Sequence, residues 1–209
     1  MISKFLKNIF SNDKIENKNL IDNKISRKFH NLKNNSFNDL KNLGFNEAIL
    51  IAKFNKEKIK DNEIEKLKDF IWSAYNHLIA QNSNNNQTLS MIYYFMSTFS
   101  LKNKDSINSI HLRELSSKHK LLSLKVDGIE GEVIIIGGKN CCQECNSDNG
   151  KIFDYNFLVK TPRLPHKNCS NKYGCRCTYG FQAKRDKNGS LIFRNSAEIE
   201  KLLRENGLI

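Results

Sequence analysis

Two stretches decide how this chain is read: Cys141-Cys142-Gln143-Glu144-Cys145, and Leu164-Pro165-His166-Lys167-Asn168-Cys169 followed closely by Cys175-Arg176-Cys177. All six cysteines fall between Cys141 and Cys177, a concentration that random placement in 209 residues would not give. Cys142 and Cys145 form a Cys-x-x-Cys pair, a spacing at which one tight turn aims two sulfurs at a single ion. The second group offers His166, Cys169, Cys175 and Cys177 after a loop of the length that zinc modules use. Two such knuckles predict one tetrahedral metal, and thiolate with imidazole donors suits zinc. Cys142 and Cys145 lead as ligands, followed by Cys169 and Cys175. Cys177 stands close behind because a Cys-x-Cys pair can also share a metal, and His166 comes last. Cys141 adjoins Cys142, starts from a different direction and is left out.

Other uses of these residues are weaker on chemical grounds. Disulfides need an oxidising compartment, which nothing in the chain indicates. A thioredoxin-like redox pair should open a helix, whereas Cys145 is followed by Asn146-Ser147-Asp148-Asn149-Gly150, a run that reads as a turn. Catalytic zinc keeps one position open for water beside a general base; here surplus sulfurs close the shell. A structural site is expected.

Outward from the cysteines, the chain divides near residue 120 into a helical front, 1–120, and a zinc-binding β-rich module with a final helix, 121–209. The fold class expected is α+β: a helical bundle, then a small antiparallel β module held by a zinc knuckle site, then a C-terminal helix. Ile2, Phe5, Leu6, Ile9 and Phe10 make one stripe of a short helix. Residues 11–36, rich in Asn and Lys, read as a loose helix or linker. Ile64, Leu67, Ile71, Ala74 and Leu78, widened by Phe70, define a helix over Asn62–Ala80 that Asn62 and Glu65 cap. Thr88 caps a second helix through Leu101, apolar on most sides and expected at the centre of the bundle. The short loop between these helices predicts face-to-face packing.

From Leu122 the period becomes two. Leu122, Leu124 and Val126 pair as a hairpin with Val133–Ile136 across a turn at Asp127 and Gly128. Thr178–Gln182 and Leu191–Phe193 read as strands joined through Asp186, Asn188 and Gly189. Asn195 with Glu198 caps a last helix whose apolar face is Ile199, Leu202 and Leu203, and Gly207 stops it.

No apolar run is long enough for a transmembrane helix, and the first ten residues lack the uninterrupted apolar core of a secretion signal, so a cytoplasmic protein is expected. A formal charge of +12 favours anionic partners, nucleic acid first and an anionic membrane surface second. The excess is mostly Lys in an Asn- and Ile-rich chain, a bias that an AT-rich genome also produces, and Arg, the better bidentate reader of phosphate and guanine, is scarce.

Cys142-Gln143-Glu144-Cys145, then Gly150-Lys151-Ile152-Phe153, then Pro165-His166 through Cys169 and Cys175-Arg176-Cys177 together resemble the C-terminal tail of phage minor head proteins of the Mu F type. The match covers about one fifth of the chain. It departs at Ser170–Gly174, which are inserted before Cys-Arg-Cys. What the resemblance implies is a metal-holding module associated with phage or phage defence.

Three functional classes then compete. The first is a zinc-stabilised adaptor that binds a protein or other macromolecule. The second is a nucleic-acid-binding protein that uses the basic residues around the module, including Lys151, Arg163, Lys172, Arg176 and Lys184. The third is a metal-assisted nuclease built on His166, which has no Asp or Glu beside it in the sequence to orient it. A non-enzymatic binding role is the leading expectation.

Overall fold

The computed structural model describes residues 2–124, 128–172, 174–193 and 196–208; side chains of 2–20, 196–199 and Leu202 are outside that description. The chain forms an α+β fold of two compact units, Met1–Gln81 and Asn82–Ile209.

The first unit holds three helices, α1 (Ile2–Asn42), α2 (Glu47–Glu57) and α3 (Ile64–Gln81). Residues 11–36, read as loose from composition, continue one helix, and Phe29, Ser36 and Leu40 of α1 are buried. The stripe Ile2 to Phe10 lies among side chains outside the described residues. Gly44, at φ +90°, ends α1: its N–H reaches the Lys41 carbonyl and the Phe45 N–H reaches that of Leu40. A residue with a Cβ is strained in that left-handed conformation. Asn46 then accepts from the Ile49 N–H and starts α2, which buries Leu50 and Phe54. No sequence expectation covered α2, although Asn46 and the four-residue apolar spacing signal it.

Helix α3 follows its expected stripe: Leu67, Ile71, Ala74 and Leu78 are buried, with Tyr75 added. Its entry differs. Leu67 N–H bonds to the Glu63 carbonyl, and the Glu63 carboxylate accepts from the Lys60 N–H at 2.8 Å, so Glu63 organises the turn expected of Asn62. Glu65 instead pairs with Lys68 on the surface. Phe37, Phe54 and Phe70 join α1, α2 and α3, with ring centroids 5.4 to 6.1 Å apart.

The second unit opens with α4 (Asn86–Lys102) and α5 (Ser106–Leu122). Asn85, three residues before the expected cap, accepts from the Thr88 N–H, so α4 starts earlier than read. Within this unit α4 packs on α5, a partner that the apolar stripes of 62–80 and 88–101 do not indicate. Serines make the seam. Ser90 and Ser116 exchange hydroxyl-to-carbonyl hydrogen bonds at 2.8 to 2.9 Å, and Ser97 and Ser109 do the same at 2.9 Å. Both pairs satisfy buried hydroxyls, and their small side chains let the antiparallel backbones approach closely. Consequently α4 is less enclosed than its composition implied: Met91 and Tyr94 stay about two-fifths exposed. Ser97→Leu is expected to force the seam apart and to cost about 3 kcal/mol or more, through overpacking plus loss of the hydrogen bond that the Ser97 hydroxyl donates to the Ser109 carbonyl. Chemical denaturation measures it; a shift below about 1 kcal/mol would show that the seam is loosely packed.

Helix α5 runs through Leu122 and turns at Ser123 and Leu124, so the expected strand 122–126 is not formed at its described residues; Val126 and Asp127 lie outside them. Leu121 and Leu124 serve the core as helix-end residues instead. The sheet is antiparallel, in the order β2 (Ile152–Phe153), β1 (Gly131–Ile136), β3 (Thr178–Ala183). Register pairs Val133 with both Phe153 and Phe181. Val133 and Ile135 point inward among Leu121, Leu158, Leu164 and Tyr179. The expected strand 191–193 contributes only single bridges, Leu191 to Arg185 and Phe193 to Ile129. Its turn forms as expected, with Asp186 accepting from the Asn188 and Ser190 N–H groups. Helix α6 (Gln143–Asp148) and α7 (Tyr155–Lys160) flank β2, and α8 (Ser196–Glu205) closes the chain as the C-terminal helix. Asn195, Ile199 and Leu202 of that helix's expected cap and face lie outside the described residues. Among the described residues no helix is long and apolar enough to cross a membrane.

Candidate metal centre

The cysteines meet where three pieces of the second unit converge: the start of α6, the loop ending at Cys169, and the approach to β3. Cys142 precedes α6 and Cys145 lies within it, buried to 1% exposure. The run after Cys145, expected to turn at once, first completes that short helix, because Asn146 N–H reaches the Cys142 carbonyl at 2.8 Å. Cys175 and Cys177 are buried on either side of exposed Arg176. The two knuckles can touch because residue 138 is glycine: a Cβ there would stand 2.9 Å from the Arg176 Cβ. Tyr179 pins the intervening loop. Its hydroxyl accepts from the Arg163 and Leu164 N–H groups at 3.0 and 2.9 Å, immediately before Pro165 and His166.

The thiols form two triads, Cys142-Cys145-Cys169 and Cys145-Cys175-Cys177, each with sulfurs within 4.8 Å of one another. Cys142 to Cys169 is 3.8 Å, Cys145 to Cys169 3.6 Å and Cys145 to Cys175 3.7 Å. These are far beyond an S–S bond of about 2.05 Å. They equal the edge, about 3.8 Å, of a tetrahedron whose metal–sulfur bonds are about 2.3 Å. All five cysteines singled out by spacing are in the triads; Cys141 is outside them, with Sγ 3.9 Å from Asn146 Oδ1.

Electrostatics favours a cation here. Backbone N–H groups of Cys145 and Ser170 pull the Cys142 pKa down to about 6. Burial pushes the thiols of Cys145, Cys169 and Cys175 up, since a naked thiolate among apolar residues is poorly solvated. A dication bound by all of them would compensate that charge directly. The donor set therefore fits a metal ion.

His166 adds a donor that spacing ranked last. It is 8% exposed, and its Nε2 is buried with no hydrogen-bond partner. Its Nδ1 stands 4.0 Å from Asp148 Oδ2. This corrects the expectation that no carboxylate attends His166: sequence neighbours do not supply one, but α6 brings Asp148 from eighteen residues away. Asp148 is itself 6% exposed and is held by Lys151 Nζ at 2.8 Å and Arg163 Nε at 3.4 Å. The hydrogen bond from Lys151 and the charge of Arg163 keep its carboxyl below the ordinary carboxylate range. A carboxylate behind an imidazole is the arrangement that orients metal-bound histidines. Asp148 was legible in principle, because it follows Cys145 by three residues and so shares its face of a helix.

Fold and site thus define an α+β protein with a cysteine-rich centre whose thiol groups could hold a metal ion. Compared with protein-family models, curated proteins and solved structures, the chain gives no match.

Proposed function

We propose that this chain is a zinc-stabilised binding module, with one zinc held by Cys142, Cys145, Cys169 and Cys175, and Cys177 and His166 adjoining them. The observation that carries the reading is that three sulfur separations, at 3.6 to 3.8 Å, have the length of an edge of tetrahedral thiolate coordination and link two triads that share Cys145. Zinc is favoured over other ions because thiolates dominate the donor set and the site lies inside a small core that a cross-link would stabilise. A ligand surplus closes the coordination shell, which supports a structural role and a task performed by the surfaces the module displays. The phage-type resemblance of the cysteine stretches makes a phage or phage-defence setting the first to examine.

Purified without chelator, the protein is expected to carry about one zinc per chain. Absence of metal, with the thiols titrating as disulfides, would overturn the reading. His166→Ala is expected to retain zinc and fold. If the zinc-loaded protein hydrolysed nucleic acid and this variant lost that activity with its metal intact, a metal-assisted enzyme would replace the binding module.

A further inference from the structure

Arg113, on α5, is only 6% exposed, and one guanidinium nitrogen is buried without a hydrogen-bond partner. No ion pair reaches it among the described residues; its neighbour Glu114 faces His111 instead. A buried cation lacking a counter-charge is costly. The aromatic face of Tyr94, 4.0 Å from the guanidinium carbon, meets part of that cost. An anion from outside would meet the rest.

The surroundings say which kind. Arg113 lines a cavity of about 280 Å³ with Tyr94, Lys120 and Arg176. Tyr94 and Arg176 also line a second cavity, of about 380 Å³, together with Lys102 and Lys172. Sharing those two residues makes the cavities one depression with five cationic side chains and no Asp or Glu; a third cavity of about 170 Å³, which Arg113 and Lys172 also line, carries Glu114 on its wall. Tyr94 stands at the junction, 39% exposed. A cationic track around an accessible aromatic ring is how sequence-tolerant sites hold single strands, with phosphates on the cations and a base on the ring. A duplex conceals its base faces and an acidic peptide has no flat aromatic group for every unit, so neither uses both features.

We propose that this depression between α4, α5 and the Cys175-Arg176-Cys177 knuckle binds single-stranded nucleic acid, with Tyr94 stacking a base, exposed Arg176 holding backbone phosphate, and buried Arg113 backing the Tyr94 ring and adding positive charge. The inference rests on the metal-held binding reading in one respect: buried Cys175 and Cys177 fix Arg176 at the shared wall.

The test is fluorescence anisotropy of zinc-loaded protein with a labelled oligothymidylate and an oligouridylate of about 12 nucleotides, within the size range such folds cover. Each is measured over a salt series, beside a duplex of the same length. Single strands are expected to bind more tightly than duplex. Tyr94→Ala should weaken binding about tenfold with an unchanged salt slope, and Tyr94→Phe should restore it. Arg176→Ala should lower the slope by about 0.7 for each phosphate that residue 176 no longer neutralises. A Lys56→Ala, Lys60→Ala double variant, exposed in the first unit and outside both cavities, should bind as the parent does. Preference of DNA over RNA, or the reverse, assigns the sugar and supports the site either way. Equal affinity for duplex, indifference to Tyr94→Ala and Arg176→Ala, or binding only to anionic phospholipid vesicles would overturn it. Zinc is measured in every sample: failure of these variants with about one zinc retained refutes this surface alone, whereas a zinc-free parent refutes the metal-held module.

Discussion

Cys145→Ser is expected to empty the metal centre and to unfold the segment around it. Cys145 belongs to both sulfur triads, is 1% exposed and packs in the core with Val133, Ile135, Leu158 and Tyr179. Serine there replaces the thiol common to both triads by a hydroxyl that binds zinc poorly and has to be buried. Structural zinc supplies about 10–16 kcal/mol in zinc-finger peptides, comparable with the whole stability of a domain, about 5–15 kcal/mol. The variant should therefore lose its zinc and be cut by protease between residues 139 and 182. The resistant fragment should contain Met1–Gln81, which forms its own compact unit. The apolar stripes alone place the protected boundary near residue 105; the structure moves it, because α4 and α5 belong to the unit of the sheet and Leu121 shares a core with the cysteines. Retained zinc together with resistance across 139–182 would show that Cys145 is no ligand.

Ile71→Asp should have the second largest effect, in the other unit. Ile71 is fully buried on α3 beside Leu67, Ala74 and Tyr75. A carboxylate there loses its hydration without gaining a partner, and the lost apolar burial adds to the cost. The expected penalty, about 4 kcal/mol or more, is a large share of a marginal stability. Thermal melts should show the helical transition lowered by more than about 10 °C. Zinc content should be unchanged, since the cysteine core lies in Asn82–Ile209. An unaltered melting profile would mean that α3 does not hold the first unit together.

Much of this molecule follows from local patterns. The α3 stripe, the strand at 178–183, the Asp186 turn and the final helix all depend on side chains within a few residues of one another. The convergence of five thiols is legible for a related reason: paired cysteines at short spacing have few arrangements other than a shared centre. Local patterns mislead where one signal competes with another. Leu122 and Leu124 alternate with Ser123 as a strand would, yet the helix begun at Asp105 continues through Leu122, since its hydrogen-bond ladder is already established. Thr88 resembles a cap, but Asn85 lies at the spacing that meets the Thr88 N–H.

By itself the sequence determined the α+β class and which five cysteines gather into metal-capable groups. Those properties rest on periodicity and side-chain chemistry, which are carried residue by residue. Only the tertiary structure decided that Asp148 stands beside His166, that the α4 and α5 serines interlock, and that Arg113 is buried under Tyr94 between basic walls. Each of those joins side chains from separate elements, and their meeting depends on helix packing and chain reversal rather than on any spacing a linear reading can measure.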